Sequence, residues 1–388
     1  MEETGDNHRH NLFDFLRITA ALAVLVSHQL SLTGRAEWGI PGFQSLGGLG
    51  LLVFFTMSGY LVCESWQRDP NLIRFAIRRF LRIWPGLAVA VLLAACLLGP
   101  LMTTLPLGSY FGDPSFTKYF ENLRFNDSQQ LAGVFAGNPV TAVNGSMWTL
   151  PIEVRWYGLL ALGGLIGALR WRWLLATFTL LVAVHYFILL DVEGVIASSG
   201  DRGWKEELGL YFLAGACIQR FESEWCSRRT LSLVVTFTLA ALVFVLGEPH
   251  FAYWIVLTAT TINIALISWR PLATLTRRGD FSYGLYVYAF PVQQTIVALT
   301  HNTLPFAIGL SISVVVTLGF AVASWHLVEA SSLRLKPSRH STFGSWRQIR
   351  GLFVRPEARM AAPELPKKTV DGVRAPGTSA AAEGGPLE

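Results

Sequence analysis

The chain has 388 residues, 52% of them hydrophobic and only 15% charged, with a formal net charge of +5 and a mean hydropathy of +0.42. A soluble domain carries about 25% charged residues, and its surface helices need a polar face, so a soluble helical domain is excluded. Apolar stretches of about twenty residues separated by short polar turns mark an all-α protein that crosses a membrane many times, and the alternation of a β-barrel is absent.

In chain order, residues 1–10 form a polar lead-in, and ten spans are predicted at 11–31, 46–64, 83–106, 148–168, 173–190, 206–220, 230–247, 251–268, 281–300 and 305–328. The first lacks a small-residue cleavage site and is expected to remain as a span. The connection at 107–147 holds a run of aromatics (Tyr110, Phe111, Phe116, Tyr119, Phe120); a segment of this length is either a functional lid or acceptor surface or a partly folded connector. A second connection covers 191–205. From Lys336 the composition turns to Pro, Ala, Gly, Ser and charge, which predicts a disordered tail over 336–388.

Basic residues orient the whole. With an internal N-terminus, fifteen Lys/Arg before the tail fall on one side and six on the other, so the positive-inside rule places both termini in the cytoplasm. The charge excess restates that bias and gives no reason to invoke nucleic acid. The four cysteines, Cys63, Cys96, Cys217 and Cys226, fall in spans or cytoplasmic turns, where packing is expected rather than a disulfide or metal cluster. The membrane unit, 11–330, is expected to carry the function.

Polar residues inside apolar spans mark where function can lie, because a charge at mid-membrane costs roughly 2.5 kcal/mol or more. Arg17 and His28 are eleven residues apart in the first span and fall within roughly 20° of one helical face. Asp14, one turn earlier, shares that side. At about 1.5 Å per residue the pair differs in depth by roughly 16 Å, which assigns Arg17 to the cytoplasmic half and His28 to the external half. Arg79 and Arg82 are i, i+3 neighbours at the cytoplasmic entry to the third span, a fork suited to phosphate. Glu153 lies about a turn inside the external surface, at a depth where His28 could meet it. Plainer readings stand beside these: Arg74 and Arg78 as positive-inside anchors, Asp14–Arg17 as a neutralising pair, Glu153 as a packing residue, and His185 and His326 as packed span histidines.

Five segments in order resemble the motifs of the acyltransferase-3 membrane O-acyltransferases: Phe13-Asp14-Phe-Leu-Arg17 with Ser27-His28; Gly50-Leu-Leu-Val-Phe-Phe-Thr-Met-Ser58-Gly59; Arg78-Arg79-Phe-Leu-Arg82-Ile-Trp-Pro85; Ser146-Met-Trp148-Thr-Leu-Pro-Ile-Glu153; and Phe281-Ser-Tyr-Gly-Leu-Tyr286. The resemblance covers about residues 11–330. It implies transfer of an acyl group, commonly acetyl, from cytoplasmic acyl-CoA to a hydroxyl of an extracytoplasmic glycan such as exopolysaccharide or lipopolysaccharide O-chain, by a multi-pass protein of the inner membrane with no permanently bound cofactor. His28 then matches the catalytic histidine, Arg17 its partner, and Arg79 and Arg82 the pair implied in acyl-CoA handling, with Asp14 beside them. Glu153 matches the acidic residue that orients the imidazole or places the acceptor; Ser146, Trp148 and Tyr286 are acceptor-side candidates. His28 is expected to act as general base, with transient acylation as the variant. One departure is Tyr288-Ala289-Phe290-Pro291, where the family often has a tryptophan and a second histidine. The alternative from another class is a transporter or glycan flippase using Arg17, His28 and Glu153 as a polar path.

Overall fold

The computed structural model describes residues 11–189, 201–269, 271–272 and 279–337, with backbone alone at Leu189 and Asp201–Trp204. The lead-in, most of 191–205 and the tail beyond 337 lie outside these. Ten helices correspond to the ten apolar segments. They are α1 (Phe13–Leu32), α2 (Leu46–Arg68), α3 (Leu72–Leu93), α4 (Leu150–Leu165), α5 (Arg172–Val184), α6 (Asp201–Arg220), α7 (Arg229–Val245), α8 (Pro249–Ala265), α9 (Ser282–Leu299) and α10 (Phe306–Ser324). A two-residue hairpin, β1 (Gly39–Ile40) with β2 (Gln44–Ser45), joins α1 to α2.

Among the described residues four helices are long and apolar enough to cross a bilayer: Phe13–Leu32, Leu46–Arg68, Leu72–Met102 and Phe306–Leu333. Outward faces carry Leu162, Leu165 and Ile166 at the end of α4, Val234, Val235 and Leu242 on α7, and Ile308 and Val315 on α10, all exposed. Such an apolar belt exceeds what a soluble surface shows and belongs in lipid.

Two boundaries differ from the sequence expectation. The third helix begins at Leu72 rather than 83, because the Asn71 side chain caps it by accepting from the Arg74 N–H at 3.0 Å. Arg79 and Arg82 therefore sit about 10 and 15 Å along a helix rather than at its entry. The connection at 107–147 is folded. Short helices at Leu107–Gly112 and Pro114–Tyr119 and a 3₁₀ turn at Phe120–Arg124 bury Tyr110, Tyr119 and Asn122. They dock on a π-turn, Ala94–Leu98, that extends α3. There the Gly99 N–H reaches the Ala94 carbonyl, which frees that of Ala95, and the Tyr110 hydroxyl donates to it at 2.7 Å. The wide turn is thus satisfied by the connection that packs on it.

In lipid, close backbone approach replaces the hydrophobic drive between helices. Helices α2 and α6 meet through two glycines that answer each other: a Cβ at Gly59 would lie 1.9 Å from the Phe212 carbonyl oxygen, and one at Gly215 2.0 Å from that of Thr56. Between α2 and α3, the buried Asp69 carboxylate accepts from Arg74 (2.8 and 2.5 Å) and Arg78 (2.6 Å). The Arg74 hydrogen bonds, with those of Arg78, hold this carboxyl well below its ordinary value of 3.8 against the opposing effect of burial.

Two outcomes follow. Gly59→Ala must push α2 from α6 and should cost at least the ~1–3 kcal/mol of an overpacked core, whereas Gly158→Ala, which meets nothing within 4 Å, should leave the thermal midpoint in detergent unchanged or slightly raised. Asp69→Asn should lower the midpoint at pH 7. Since the folded carboxyl titrates below the unfolded one, the stabilisation is complete above the ordinary value and is lost as pH falls below it. The gap between wild type and variant should therefore begin to narrow below about pH 4 and go on narrowing with further acidification, and a gap that stays constant to pH 3 would refute the ion-pair account.

Candidate active site

The arginines sort by what they meet. Arg74 and Arg78 are taken by Asp69, in keeping with a structural role. Arg17, Arg79 and Arg82, from α1 and α3, face one cavity between α1, α2, α3, α4 and α9. Arg17 approaches Asp14 at 3.6 Å, but its nearer partner is Asp280, 3.0 Å away just before α9. Arg82 donates to the same Asp280 oxygen, Oδ2. The other oxygen, Oδ1, accepts from the Ser282 N–H at 3.2 Å and from the Ser282 hydroxyl. Burial opposes ionisation of Asp280, yet the Arg82 and Arg17 charges outweigh it and hold this carboxyl well below the usual range.

Arg79 has no ion pair among the described residues. Its guanidinium lies over the rings of Phe75 (5.9 Å) and Tyr157 (5.7 Å), and its Nε is buried without a partner. Among the described residues it is the cavity arginine without a carboxylate in contact.

Glu153 stands in the first turn of α4 and lines the same cavity. Its Oε1 accepts from the Ser58 hydroxyl of α2 at 3.1 Å and from Tyr157 one turn along α4; the two hydroxyl oxygens are themselves 3.1 Å apart. The carboxylate is thus committed to Ser58 and Tyr157, and no hydrogen bond joins it to His28 among the described residues. The expected Glu153–imidazole pair is absent from this conformation: Glu153 Oε1 is taken by Ser58 and Tyr157, and His28 lies outside the cavity that Glu153 lines.

His28 lies apart, outside the lining of the arginine cavity. Its ring meets the edge of Phe290 at 5.0 Å, and its Nδ1 is buried with no partner. Its neighbours are fixed: Ser27 donates to Glu37, and Gln29 accepts from Gln293 of α9 and Ser313 of α10, each at 3.0 Å. The imidazole thus keeps an unused nitrogen in a rigid setting.

The segment before α4 joins the two regions. Pro291 inside α9 removes the N–H that would bond to the Val287 carbonyl, and Asn144 Nδ2 donates to that carbonyl instead at 2.9 Å. Asn144 Oδ1 accepts from the Ser146 N–H at 3.0 Å. The Tyr286 hydroxyl donates to the Ser146 carbonyl (2.8 Å) and lies 2.6 Å from the Thr149 hydroxyl. Ser146 Oγ is buried without a partner, and Trp148 packs half-buried against the core. Tyr286 and Thr149 line the arginine cavity, while a Cβ on Gly145 would lie 2.7 Å from the Phe290 ring that touches His28. Ser146 and Tyr286 therefore lie in the wall between the arginine cavity and His28, with Trp148 in the same segment.

Sequence reasoning missed Asp280, Ser58 as a Glu153 partner, Tyr157 and Glu329. Asp280 directly precedes a quoted motif, and asking what neutralises the buried arginines would have found it. Glu329, 3% exposed, accepts from Ser324 at 3.0 Å and carries no such signal.

The chain matches the family model described as "Acyltransferase domain" over residues 11–326. It is 30% identical over 332 residues to an O-acetyl transferase of Shigella phage Sf6, covering 83% of this chain and 96% of that protein. It is 29% identical over 371 residues to nodulation protein 10 of Rhizobium leguminosarum bv. viciae, covering 87% and 96%. No solved structure matches the chain significantly. Matched by the family model along nearly the whole of its helical bundle, the chain belongs to acyltransferase family 3 and is an O-acyltransferase.

Proposed function

We propose that this protein carries an acyl group, acetyl first, from acyl-CoA on the cytoplasmic side to a hydroxyl of a carbohydrate on the outer side of the inner membrane. In this reading the ten helices are ten spans and both termini are cytoplasmic, which the distribution of basic residues favours. The observation that carries the proposal is Arg79, without an ion pair among the described residues, beside Arg17 and Arg82 in one cavity. Guanidinium groups bind phosphate oxygens bidentately, which suits the donor's phosphates. The printed name of the phage relative, an O-acetyl transferase, favours acetyl. Membership of an enzyme family leaves the transporter or flippase alternative without a supporting observation.

In the proposed reaction Arg79 and Arg82, with Arg17, hold the phosphates and the pantetheine arm extends past Glu153 towards Tyr286. His28 takes the proton of the acceptor hydroxyl, whose oxygen attacks the thioester carbonyl. The C–S bond breaks, and the departing thiolate receives the proton from the imidazolium. In the variant, the imidazole nitrogen attacks the thioester carbonyl first, the C–S bond breaks and the CoA thiolate takes the proton of the other ring nitrogen; the sugar oxygen then displaces the imidazole from the acyl group and gives its proton back to the ring. Because Tyr286, Thr149 and the Asn144–Ser146 turn stand between the two regions, transfer requires this wall to open; Ser146, Trp148 and Tyr286 then border the acceptor. Glu153 acts through Ser58 and Tyr157, with Asp14 at the rim beside Arg17. No resident cofactor and no nucleic acid enter this scheme; acyl-CoA, glycan and lipid are its partners.

The test is transfer of radiolabelled acetyl from acetyl-CoA to glycan by protein reconstituted in vesicles. His28→Ala should abolish transfer while the protein remains folded; wild-type transfer by that variant would sink the assignment. Arg79→Ala should raise the donor KM about 10- to 100-fold, the loss of a charge-assisted contact of roughly 1.5–3 kcal/mol, with kcat little altered. An unchanged donor KM would leave Arg79 without a donor role.

A further inference from the structure

Three half-buried guanidiniums around one cavity repel each other and pay for desolvation unless a carboxylate meets them. Among the described residues, Asp280 is the carboxylate that meets two of them from different helices: Arg17 of α1 at 3.0 Å and Arg82 of α3. Both use one oxygen, Oδ2. The other oxygen is held by the backbone N–H and hydroxyl of Ser282 in the first turn of α9, so the carboxylate cannot swing away with either arginine. Asp280 is 11% exposed and the two guanidiniums about a fifth, which limits replacement of the carboxylate by water. A guanidinium has five N–H donors, and Asp280 accepts one from each arginine. Neither guanidinium makes a further hydrogen bond among the described residues, and Arg79 beside them has no ion pair there, so N–H donors remain to meet a ligand.

We propose that Asp280 is a positioning residue for donor binding: by holding the Arg17 and Arg82 guanidiniums on one oxygen tethered to α9, it sets the spacing at which they meet the anionic groups of acyl-CoA. This rests on the reading of the cavity as the donor site. Asp280 itself touches neither donor nor acceptor. Its removal therefore acts on donor affinity, through two side chains that would spread by mutual repulsion. Asparagine at 280 keeps the size but turns an N–H₂ group or a weaker acceptor towards the arginines. Glutamate keeps the charge with one more methylene of reach.

Initial rates with acetyl-CoA and acceptor varied separately test this on full-length protein in vesicles. Asp280→Asn should raise the donor KM on the order of 10- to 100-fold, the worth of a charge-assisted contact, while kcat and the acceptor KM shift about threefold or less. Asp280→Glu should recover most of the loss. A merely structural role would reduce the amount of active protein, and hence the apparent kcat, without moving the donor KM or being rescued by glutamate. Should Asp280→Asn not accumulate, Ser282→Ala carries the test. It removes one of the two tethers and keeps the backbone one, and should raise the donor KM about threefold, the effect of a weak neutral hydrogen bond. Arg79→Ala in the same assay separates the two claims. If Arg79→Ala raises the donor KM and the Asp280 or Ser282 variant does not, positioning by Asp280 is overturned. If neither moves it, the donor site itself lies elsewhere.

Discussion

Burying a guanidinium in an apolar bundle is tolerable only where carboxylates, aromatic faces or a ligand replace water. This chain brings Arg17, Arg79 and Arg82 together, and much of the surrounding structure follows from satisfying them. Asp280 serves two and is itself fixed by Ser282. Arg79 is left to the rings of Phe75 and Tyr157. Glu153 adds negative charge across the cavity, its oxygen held by Ser58 and Tyr157. The charge balance therefore stitches α1, α2, α3, α4 and α9 into one unit.

Irregular backbone does comparable service at the wall of the cavity. Two helical faults, the π-turn after α3 and Pro291 in α9, each free a carbonyl. Each is met by a side chain from the segment between α3 and α4: Tyr110 on Ala95 and Asn144 on Val287. A regular pair of helices would offer no such acceptors, and that segment would have fewer points of attachment. The faults thus seat the turn that separates the arginine cavity from His28.

That separation bears on the chemistry. His28 and Arg17 share one helix face, yet Phe290, Gly145 and Tyr286 stand around the path between them. The arginine cavity and His28 are thus two distinct polar regions of the bundle, with the Asn144–Ser146 turn packed against residues of both.

The legible part of this protein was whatever depends on local pattern. Apolar stretches of span length located ten helices, because each helix satisfies its own backbone in lipid and the pattern is confined to the segment. The 100° turn per residue put Arg17 and His28 on one face, and the ordered motifs pointed to the family. Tertiary structure alone decided the partners. The helix that carries Arg79 and Arg82 starts at a cap on Asn71, a full three turns before the predicted span, and Glu153, lining the same cavity, is held by Ser58 and Tyr157 instead of His28. Asp280 joined residues 263 and 198 positions away. Periodicity records which face of a helix a side chain occupies, whereas a salt bridge depends on how helices distant in sequence are set against each other. That setting comes from close contacts such as Gly59 against Phe212, which no single segment encodes.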